Sequence, residues 1–393
     1  MTHLKNSFPT EPVQAQFPPA LIFGTGKRAT LPETLKNWGS ANVAVVAADV
    51  LKESVGEMTR AIRSAGIEVR IVYCQPAEPR MKDFVHVCEE LGEPFPDTVI
   101  GIGGGSVLDV AKLVAALGDR PGQLRAYVGK GLLESRKARL VCIPTTSGAG
   151  SEGSPNAIMV DEEDHAKKAV ISPHLIPDMV LIDPELTVSV PPHVTAATGF
   201  DALCHCIEAY ANKYAHALVD GFALQGISLI AGNIAKATNE GTDIGARRAM
   251  ALGSYLGGLC LGPVNTAAVH ALSYPLGSAF GLPHGLANAI LMPAVFRYNL
   301  PAMPERYARI ALAMGVGEAE SPEATAEAGI RLLEDLIDQC SLREGLKRFT
   351  IDSSQFPELA RQALQITRLL NNNPREVDLA AAQSIYRQSF PDS

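Results

Sequence analysis

The chain has 393 residues, with 34 Lys and Arg against 42 Asp and Glu, and 47% of its residues are hydrophobic. This is a globular composition, which excludes a disordered, collagen-like or coiled-coil chain, and the length suggests two domains. The net charge of −8 argues against a nucleic-acid-binding surface, which requires clustered Lys and Arg. The seven cysteines are scattered and none forms a C-x-x-C pair, so we expect a reducing, cytoplasmic location.

Two segments bear on targeting. Residues 1–18 lack the apolar core of a signal peptide, and we expect a loose arm there. The segment 249–296 contains no Asp, Glu, Lys or Arg, and its length alone would allow membrane spans. Prolines, histidines and asparagines interrupt this segment, so we interpret it as helices buried in a protein core and expect no contact with a membrane.

The first half of the chain alternates short apolar, β-branched runs with helical stretches. A helix is expected near residues 51–65, and strands are expected at 42–48, 68–73, 97–102, 138–143 and 179–183. Strands that alternate with helices indicate crossover units and a parallel sheet covered by helices on its faces.

A glycine-rich motif directly follows the third of these strands. Gly103, Gly104 and Gly105 permit a tight turn and a close approach of the backbone to a ligand. We expect Ser106 to cap the next helix, with Asp109 three residues later as in a capping box. The free N–H groups and the dipole of that helix would favour an anion. The motif favours a pyrophosphate cradle over a turn that merely needs glycines, although it is neither G-x-G-x-x-G nor a Walker loop.

Two further features follow strand ends, where parallel sheets bind ligands. The polar loop 144–152 carries hydroxyls and glycines that suit phosphate, ribose or amide contacts. Asp49 directly follows the first strand, where a carboxylate can bond ribose hydroxyls and repel a 2′-phosphate. We therefore expect NAD rather than NADP, the alternative being a surface Asp that opens a turn.

From about Pro191 the strand patterns give way to Ala- and Leu-rich helical patterns that continue to the end of the chain. We therefore expect an α/β dinucleotide-binding domain over residues 1–190 and an all-helical domain over residues 191–393.

The helical half contains a pattern that indicates a metal site. Asp201 and His205 are four residues apart, which places both on one face of a helix. Glu208 shares that side as a supporting residue. His270 and His284 lie in the uncharged segment, where a buried polar ring needs a partner. For all four predicted ligands together, a metal site is a better interpretation than satisfied core histidines.

One carboxylate and three imidazoles suit a divalent first-row metal, and Fe²⁺, Zn²⁺, Mn²⁺, Co²⁺ and Ni²⁺ are all chemically admissible. An open coordination position would let a metal polarise the oxygen of an alcohol or carbonyl compound. Cys204 and Cys206 flank His205, and we expect both to point to other faces of the helix.

Taken together and in this order, the motifs resemble those of the iron-containing (group III) alcohol dehydrogenase family over nearly the whole chain. The matching segments are 23–26, 103–112, 144–152, 182–187, 199–210 and 270–289. The resemblance implies a dehydroquinate synthase-like fold, in which a dinucleotide-binding α/β domain precedes a helical domain. It also implies reversible NAD(P)-dependent oxidation of an alcohol to an aldehyde or ketone.

The resemblance further implies particular site residues and partners. The metal would be Fe²⁺ or, less favoured, Zn²⁺, held by Asp201, His205, His270 and His284. The substrate would be a small alcohol or aldehyde, and the protein a homodimer or larger homo-oligomer. The cofactor positions carry over as Asp49, Gly104, Gly105, Ser106, Asp109, Thr145, Thr146 and Lys167.

The chain also departs from the family pattern. Tyr274 stands where many members carry a second histidine, which is thought to relay protons or to contact the nicotinamide. We retain Tyr274 with His270 as the predicted catalytic residues, although a phenol is a poorer proton shuttle than an imidazole at neutral pH. Ala149 stands where threonine is common.

Three other functions remain open. A maleylacetate reductase resembles this family and works without a metal, and the tyrosine at position 274 is compatible with it. In a hydroxyacid–oxoacid transhydrogenase, the nicotinamide never leaves the enzyme. A non-catalytic metal-bound scaffold is the third alternative, but it would have no use for a phosphate-binding glycine loop.

Overall fold

The computed structural model describes residues 12–75, 78–163 and 166–391. Most of the expected N-terminal arm, residues 1–11, lies outside them. Contacts divide the chain after Val190, and residues 12–15 group with the second unit rather than with the first, where the expected boundary put them. The first strand of the first unit begins only at Ala20, so residues 12–15 are not part of its sheet.

The first unit is an α/β domain. Its helices are α1 (Leu31–Asn37), α2 (Lys52–Ser64), α3 (Met81–Leu91) and α4 (Gly105–Leu117). Its strands are β1 (Ala20–Phe23), β2 (Asn42–Ala48), β3 (Glu68–Cys74), β4 (Thr98–Gly103), β5 (Gly129–Lys130), β6 (Arg139–Pro144), β7 (Asn156–Val160), β8 (Lys167–Ile171) and β9 (Met179–Ile182).

Within the described residues, six strands form one parallel sheet in the order β1-β9-β6-β4-β2-β3. The parallel sheet expected from the sequence is therefore confirmed. Because β6, β4 and β2 are neighbours, the segments after their carboxyl ends lie along one edge of the sheet. These segments begin at Thr145, Gly104 and Asp49, so the three loops predicted to bind the nucleotide share that edge.

Alternation of side chains along β2 shows how the sheet is buried on both faces. Val43, Val45 and Ala47 pack with the apolar residues of α1 and α2. The intervening residues Ala44 and Val46 pack with those of α3 and α4. Such a strand has no solvent face, which explains why it is apolar throughout rather than alternating.

A second sheet of three strands, β5-β8-β7, was not expected from the sequence. Strands β7 and β8 pair antiparallel, with Val160 opposite Lys167. Only two residues of β7 and one of β8 are fully buried, so neither strand is enclosed on both faces as the central strands of the large sheet are.

The second unit is helical and forms a single large core. Its helices are α5 (Pro192–Tyr210), α6 (Ala217–Ala231), α7 (Ile234–Asn239), α8 (Ile244–Cys260), α9 (Ala268–Phe280), α10 (His284–Asn299), α11 (Pro304–Met314), α12 (Pro322–Gln339), α13 (Leu342–Leu346), α14 (Phe356–Leu364), α15 (Thr367–Leu370) and α16 (Leu379–Ser389).

The charge-free segment 249–296 supplies most of α8 and α10 and the whole of α9. Most of its side chains are buried in the core of the helical unit, as the sequence predicts. Among the described residues, no helix has both the length and the hydropathy that crossing a membrane requires.

Candidate metal centre and nucleotide loops

Helix α5 carries three buried polar side chains on one side. Pro192 occupies the first turn, where its missing N–H costs nothing. Asp201, His205 and Glu208 follow at helical spacing, and all three are buried. Burying ionisable groups without partners is costly. The core must therefore supply matching groups from other helices.

Those groups come from the uncharged segment. His270 lies in the first turn of α9, and His284 is the first residue of α10. Asp201 Oδ1 lies 3.7 Å from His205 Nε2, 3.4 Å from His270 Nε2 and 3.6 Å from His284 Nε2. The ligand atoms of Asp201, His270 and His284 all lie within 4.8 Å of one another. The structure thus places the rings of the three predicted histidine ligands around one carboxylate oxygen of the fourth ligand, Asp201, although the group within 4.8 Å does not include His205.

These spacings fit a single divalent cation. Ligand atoms about 2.1 Å from a tetrahedral ion are about 3.4 Å apart. The three distances from Asp201 Oδ1 to imidazole nitrogens, 3.4–3.7 Å, are close to this value. Imidazole nitrogen and carboxylate oxygen are suitable donors for first-row metals. The residues therefore fit the metal that the sequence predicts.

The charges of the cluster support the same interpretation. Burial alone would raise the pKa of Asp201, but the surrounding imidazoles of His205, His284 and His270 hold that pKa well below its usual range. Asp201 is therefore an anion inside a protein core. A buried carboxylate anion with three imidazole rings around it is an arrangement that a divalent cation stabilises when it takes the place of the protons on those rings.

Glu208 fixes the orientation of one of these rings. Its Oε2 accepts a 2.6 Å hydrogen bond from His270 Nδ1, and its Oε1 accepts a 2.6 Å bond from the backbone N–H of Val269. With Nδ1 engaged, Nε2 is the ring nitrogen turned toward Asp201. A carboxylate behind a metal-binding histidine commonly has this role, which agrees with the supporting position predicted for Glu208.

Cys204 lies closer to the centre than the sequence suggested. Its Sγ is 3.7 Å from His270 Nδ1, and Cys204, Glu208 and His270 form a second buried group of possible ligand atoms. The expectation that Cys204 points to another face of α5 was wrong, because residues four apart share a face and Glu208 is four residues further on. Cys206 instead contacts the carbonyl of Gly253, on α8.

Tyr274, the predicted catalytic tyrosine, lies beside the metal cluster. It follows His270 by one turn of α9, and its ring centroid is 5.6 Å from that of His284. The phenol is thus close to one predicted ligand and occupies the place where the family pattern has a second histidine.

Gly285 lets α10 approach α5 closely enough to bring His284 into the cluster. A Cβ atom at position 285 would lie 2.1 Å from the carbonyl oxygen of Ala197, a backbone atom of α5. No real contact is so short, so any side chain at this position must displace the start of α10.

We therefore expect Gly285→Ala to destabilise the helical unit by about 1–3 kcal/mol, which is the usual cost of overpacking. Because His284 is the adjacent residue, the affinity for zinc should fall as well. Urea denaturation and zinc titration measure the two effects. Gly317→Ala is the control, because a Cβ there meets no atom within 4 Å. Equal zinc affinity in both variants would contradict the role given to Gly285.

In the α/β unit, the glycine loop differs from the prediction in one detail. Helix α4 begins at Gly105, with Gly104 in the capping position and no side-chain cap. Ser106 is therefore inside the first turn and is not the N-cap, since Gly104 and Gly105 adopt the turn and first helical positions themselves. The first N–H groups of α4 lack partners within the helix, as an anion site requires. Ser106 lines a cavity of about 700 Å³.

Asp109 does not form a capping box either. Its Oδ1 accepts a 2.5 Å hydrogen bond from Ser151 Oγ, and its Oδ2 accepts a 2.9 Å bond from the backbone N–H of Ile158. Both oxygens thus bind the chain itself. They tie α4 to the polar loop 144–152 and to β7, which is a structural role beside the predicted cofactor contact.

Lys112 extends this connection along the same face of α4. Its side chain is fully buried, and Nζ donates to the carbonyls of Ser154 at 2.9 Å and Asn156 at 2.8 Å. Asp109 Oδ1 lies 3.9 Å from Nζ. The glycine-containing motif 103–112 therefore also contains Asp109 and Lys112, the pair that links α4 to the polar loop 144–152 and to the residues after it. The sequence analysis did not single out Lys112, although its three-residue spacing from Asp109 is visible there.

The remaining cofactor positions differ in whether they lie at the carboxyl edge of the large sheet. Thr145 and Thr146 follow β6, and the backbone N–H of Thr145 donates to Gly103 O at 3.0 Å, which joins this loop to the glycine loop. Asp49 follows β2, and its buried Oδ1 has no hydrogen-bond partner in the described part of the chain. Lys167 begins β8 of the small sheet and pairs with Glu78, so it is not on the edge that the other positions share.

A doubly covered parallel sheet with a glycine-rich loop at its carboxyl edge, and a helical unit with a buried Asp–His cluster, are features that suit a metal-linked dinucleotide oxidoreductase. Family models agree with this class. Residues 18–184 match "Iron-containing alcohol dehydrogenase", and residues 195–390 match "Fe-containing alcohol dehydrogenase family, C-terminal". The chain belongs to the iron-containing alcohol dehydrogenase family and is an alcohol dehydrogenase by class.

Individual relatives extend over the whole chain. Long-chain-alcohol dehydrogenase 1 of Geobacillus thermodenitrificans is 36% identical over 382 residues, covering 95% of this chain and 96% of the relative. The NAD-dependent methanol dehydrogenase of Bacillus methanolicus is 34% identical, covering 91% and 94%. The crystal structure of a 1,3-propanediol oxidoreductase superimposes with a TM-score of 0.91 at 31% identity, covering 97% and 100%. The fold predicted from the resemblance is confirmed.

Proposed function

We propose that this protein is a metal-dependent, NAD-linked alcohol dehydrogenase that interconverts a small alcohol and its aldehyde. The observation that carries the proposal is the convergence of three imidazoles on the buried carboxylate of Asp201. Their distances suit one divalent cation. Family membership favours Fe²⁺, and the donor set admits Zn²⁺ as well.

NAD is the proposed dinucleotide. Asp49 supports this choice, because its buried Oδ1 lacks a partner and a ribose hydroxyl would provide one. A 2′-phosphate in the same place would meet a carboxylate. The first N–H groups of α4 would hold the pyrophosphate, and the buried Oγ of Ser147 offers a further contact from the second loop.

In this reaction, an alcohol loses a hydride to NAD⁺ and a proton to solvent, and gives an aldehyde, NADH and H⁺. When bound, a divalent cation supplies Lewis-acid polarisation of the substrate oxygen, and the nicotinamide carries the hydride. Asp201 and the three histidines hold the cation, and Glu208 keeps His270 oriented. The hydroxyl of Tyr274 is the group that we assign to passing the proton between the substrate oxygen and water.

The proposal includes location and assembly. The seven cysteines are all free, which suits a reducing cytoplasm. Within the family, a homodimer or a larger homo-oligomer is the expected assembly, and the expected partner is the small-molecule substrate alone.

A substrate panel tests the proposal. NADH oxidation is measured with short aldehydes, ketones, 2-oxoacids and maleylacetate. Product formation from hydroxyacid–oxoacid pairs is measured separately, in the absence of free nicotinamide. We expect turnover with aldehydes. Turnover with maleylacetate alone would instead identify a maleylacetate reductase, and turnover of hydroxyacid–oxoacid pairs without added NADH would identify a transhydrogenase.

Removing the carboxylate of Asp49 is expected to relax the preference for NADH. A hydrogen bond to a charged group contributes about 1.5–3 kcal/mol, and each 1.4 kcal/mol is tenfold. We therefore expect Asp49→Gly to raise the ratio of kcat/KM for NADPH to that for NADH at least about tenfold. Asp49→Asn keeps the acceptor but loses the charge, and should fall between. An unchanged ratio in both variants would contradict the role of Asp49.

A further inference from the structure

A buried amide lies next to the predicted metal ligands. Asn288 is on α10, one turn after His284, and its side chain is fully buried. Its Nδ2 lies 2.7 Å from Asp201 Oδ1, 3.3 Å from His270 Nε2 and 3.2 Å from His284 Nε2. One amide nitrogen thus contacts three of the four predicted ligand atoms.

The shortest of these contacts is a hydrogen bond to an anion. An ionised carboxylate can only accept, so the amide N–H of Asn288 donates to Asp201. Hydrogen bonds to charged groups are about twice as strong as those between neutral groups. This bond therefore fixes the position of the carboxylate oxygen on which the imidazoles converge.

The amide oxygen of Asn288 indicates that stability alone does not explain an asparagine at this position. Asn288 Oδ1 is buried and has no hydrogen-bond partner within the described residues. A buried acceptor without a partner costs about 1–3 kcal/mol. An apolar side chain of the same size would avoid that cost, but it could not donate to Asp201.

When a cation is bound, the imidazole lone pairs are directed to it, and the contacts of Nδ2 with His270 and His284 cannot be hydrogen bonds. The contact with Asp201 can persist, because a carboxylate oxygen has a further lone pair. We propose that Asn288 is a positioning residue of the metal centre, which holds Asp201 in place by donating to it. This inference rests on the proposed metal centre.

Helix α10 contains a matched control. Asn299 is also buried, and its amide exchanges 2.8 Å hydrogen bonds with the amide of Asn373. It contacts none of the predicted ligands. Replacing Asn299 therefore removes a buried amide from the same helix, with a comparable loss of stability but without the bond to Asp201.

The experiment compares the wild-type protein with Asn288→Leu, Asn288→Ala and Asn299→Leu. The affinity of metal-free protein for Zn²⁺ is measured by competition with a chromogenic chelator, and thermal unfolding of the metal-free protein is measured in parallel. Loss of an outer hydrogen bond usually costs 10–100-fold in metal affinity. We expect both Asn288 variants to bind Zn²⁺ about 10–100-fold more weakly. Asn299→Leu should keep the wild-type affinity even though its Tm falls.

A spectroscopic readout separates positioning from packing. Co²⁺ bound to the two Asn288 variants should show an altered d–d absorption spectrum, whereas Co²⁺ bound to Asn299→Leu should match the wild type. Wild-type affinity or tighter binding in the Asn288 variants would overturn the inference. Absence of Zn²⁺ binding by the wild-type protein would instead overturn the metal centre itself. If Asn288→Leu does not fold, Asn288→Ala tests the same expected loss of Zn²⁺ affinity.

Discussion

Replacing His270 by alanine is expected to remove the bound metal and to lower kcat/KM for aldehyde reduction by about a thousandfold. Lewis-acid polarisation contributes several kcal/mol to a transition state, and each 1.36 kcal/mol is tenfold in rate. His270 contributes more than a ligand atom, because its ring also engages Glu208 through a 2.6 Å hydrogen bond. The variant loses a ligand and leaves the carboxylate of Glu208 without its ring partner.

Elemental analysis and steady-state kinetics of the same preparation measure this prediction. His193→Ala is the control, since His193 is an exposed histidine on α5, the helix that carries Asp201. It should keep both metal and activity. A His270→Ala enzyme that has lost its metal but still reduces aldehydes at the wild-type rate would contradict the proposed function.

Replacing Lys112 by methionine is expected to destabilise the α/β unit by about 3–5 kcal/mol. That is the usual cost of removing one partner of a buried charge pair, because the other charge remains buried without compensation. Two backbone carbonyls, those of Ser154 and Asn156, also lose their donor. Since Lys112 and Asp109 tie the glycine loop to the second polar loop, the KM for NADH should rise together with the loss of stability.

Urea denaturation of the metal-free protein, followed through the transition of the α/β unit, measures the stability. Lys36→Met on α1 is the control, because Lys36 is exposed. The double variant Asp109→Asn, Lys112→Met removes the uncompensated charge and should recover part of the lost stability. A Lys112→Met protein as stable as the control would show that the buried lysine is not a structural partner of Asp109.

Five strands of the large sheet could be predicted because each contains a short apolar run, whereas the edge strand β1 was not predicted. Strand β2, with six of its seven residues buried, is recognisable from sequence alone. Strand β8 was missed because Lys167 and Lys168 open it and only one of its residues is fully buried. Strand β7 was missed although residues 157–160 form an apolar run. The start of α4 was placed too late because serine is a better cap than glycine, whereas here the glycines themselves form the turn.

In the candidate site, the spacing of Asp201 and His205 was informative because helical periodicity relates sequence distance to spatial proximity. The approach of His270 and His284 to them could be expected only from their burial and from the family resemblance, since nothing in the sequence gives the packing of α9 and α10. Asn288 was missed as a site residue. Its four-residue spacing from His284 was available, but a single asparagine in an apolar helix has no specific meaning until its neighbours are known.

The metal centre is the central claim, and metal content with activity on one purified sample tests it most directly. Metal is measured by elemental analysis, and NADH oxidation with an aldehyde is measured before and after chelation. We predict about one metal ion per chain, activity that is lost on chelation, and recovery of that activity with Fe²⁺ or Zn²⁺. Undiminished turnover by protein shown to be free of metal would contradict the claim and would identify a metal-independent reductase.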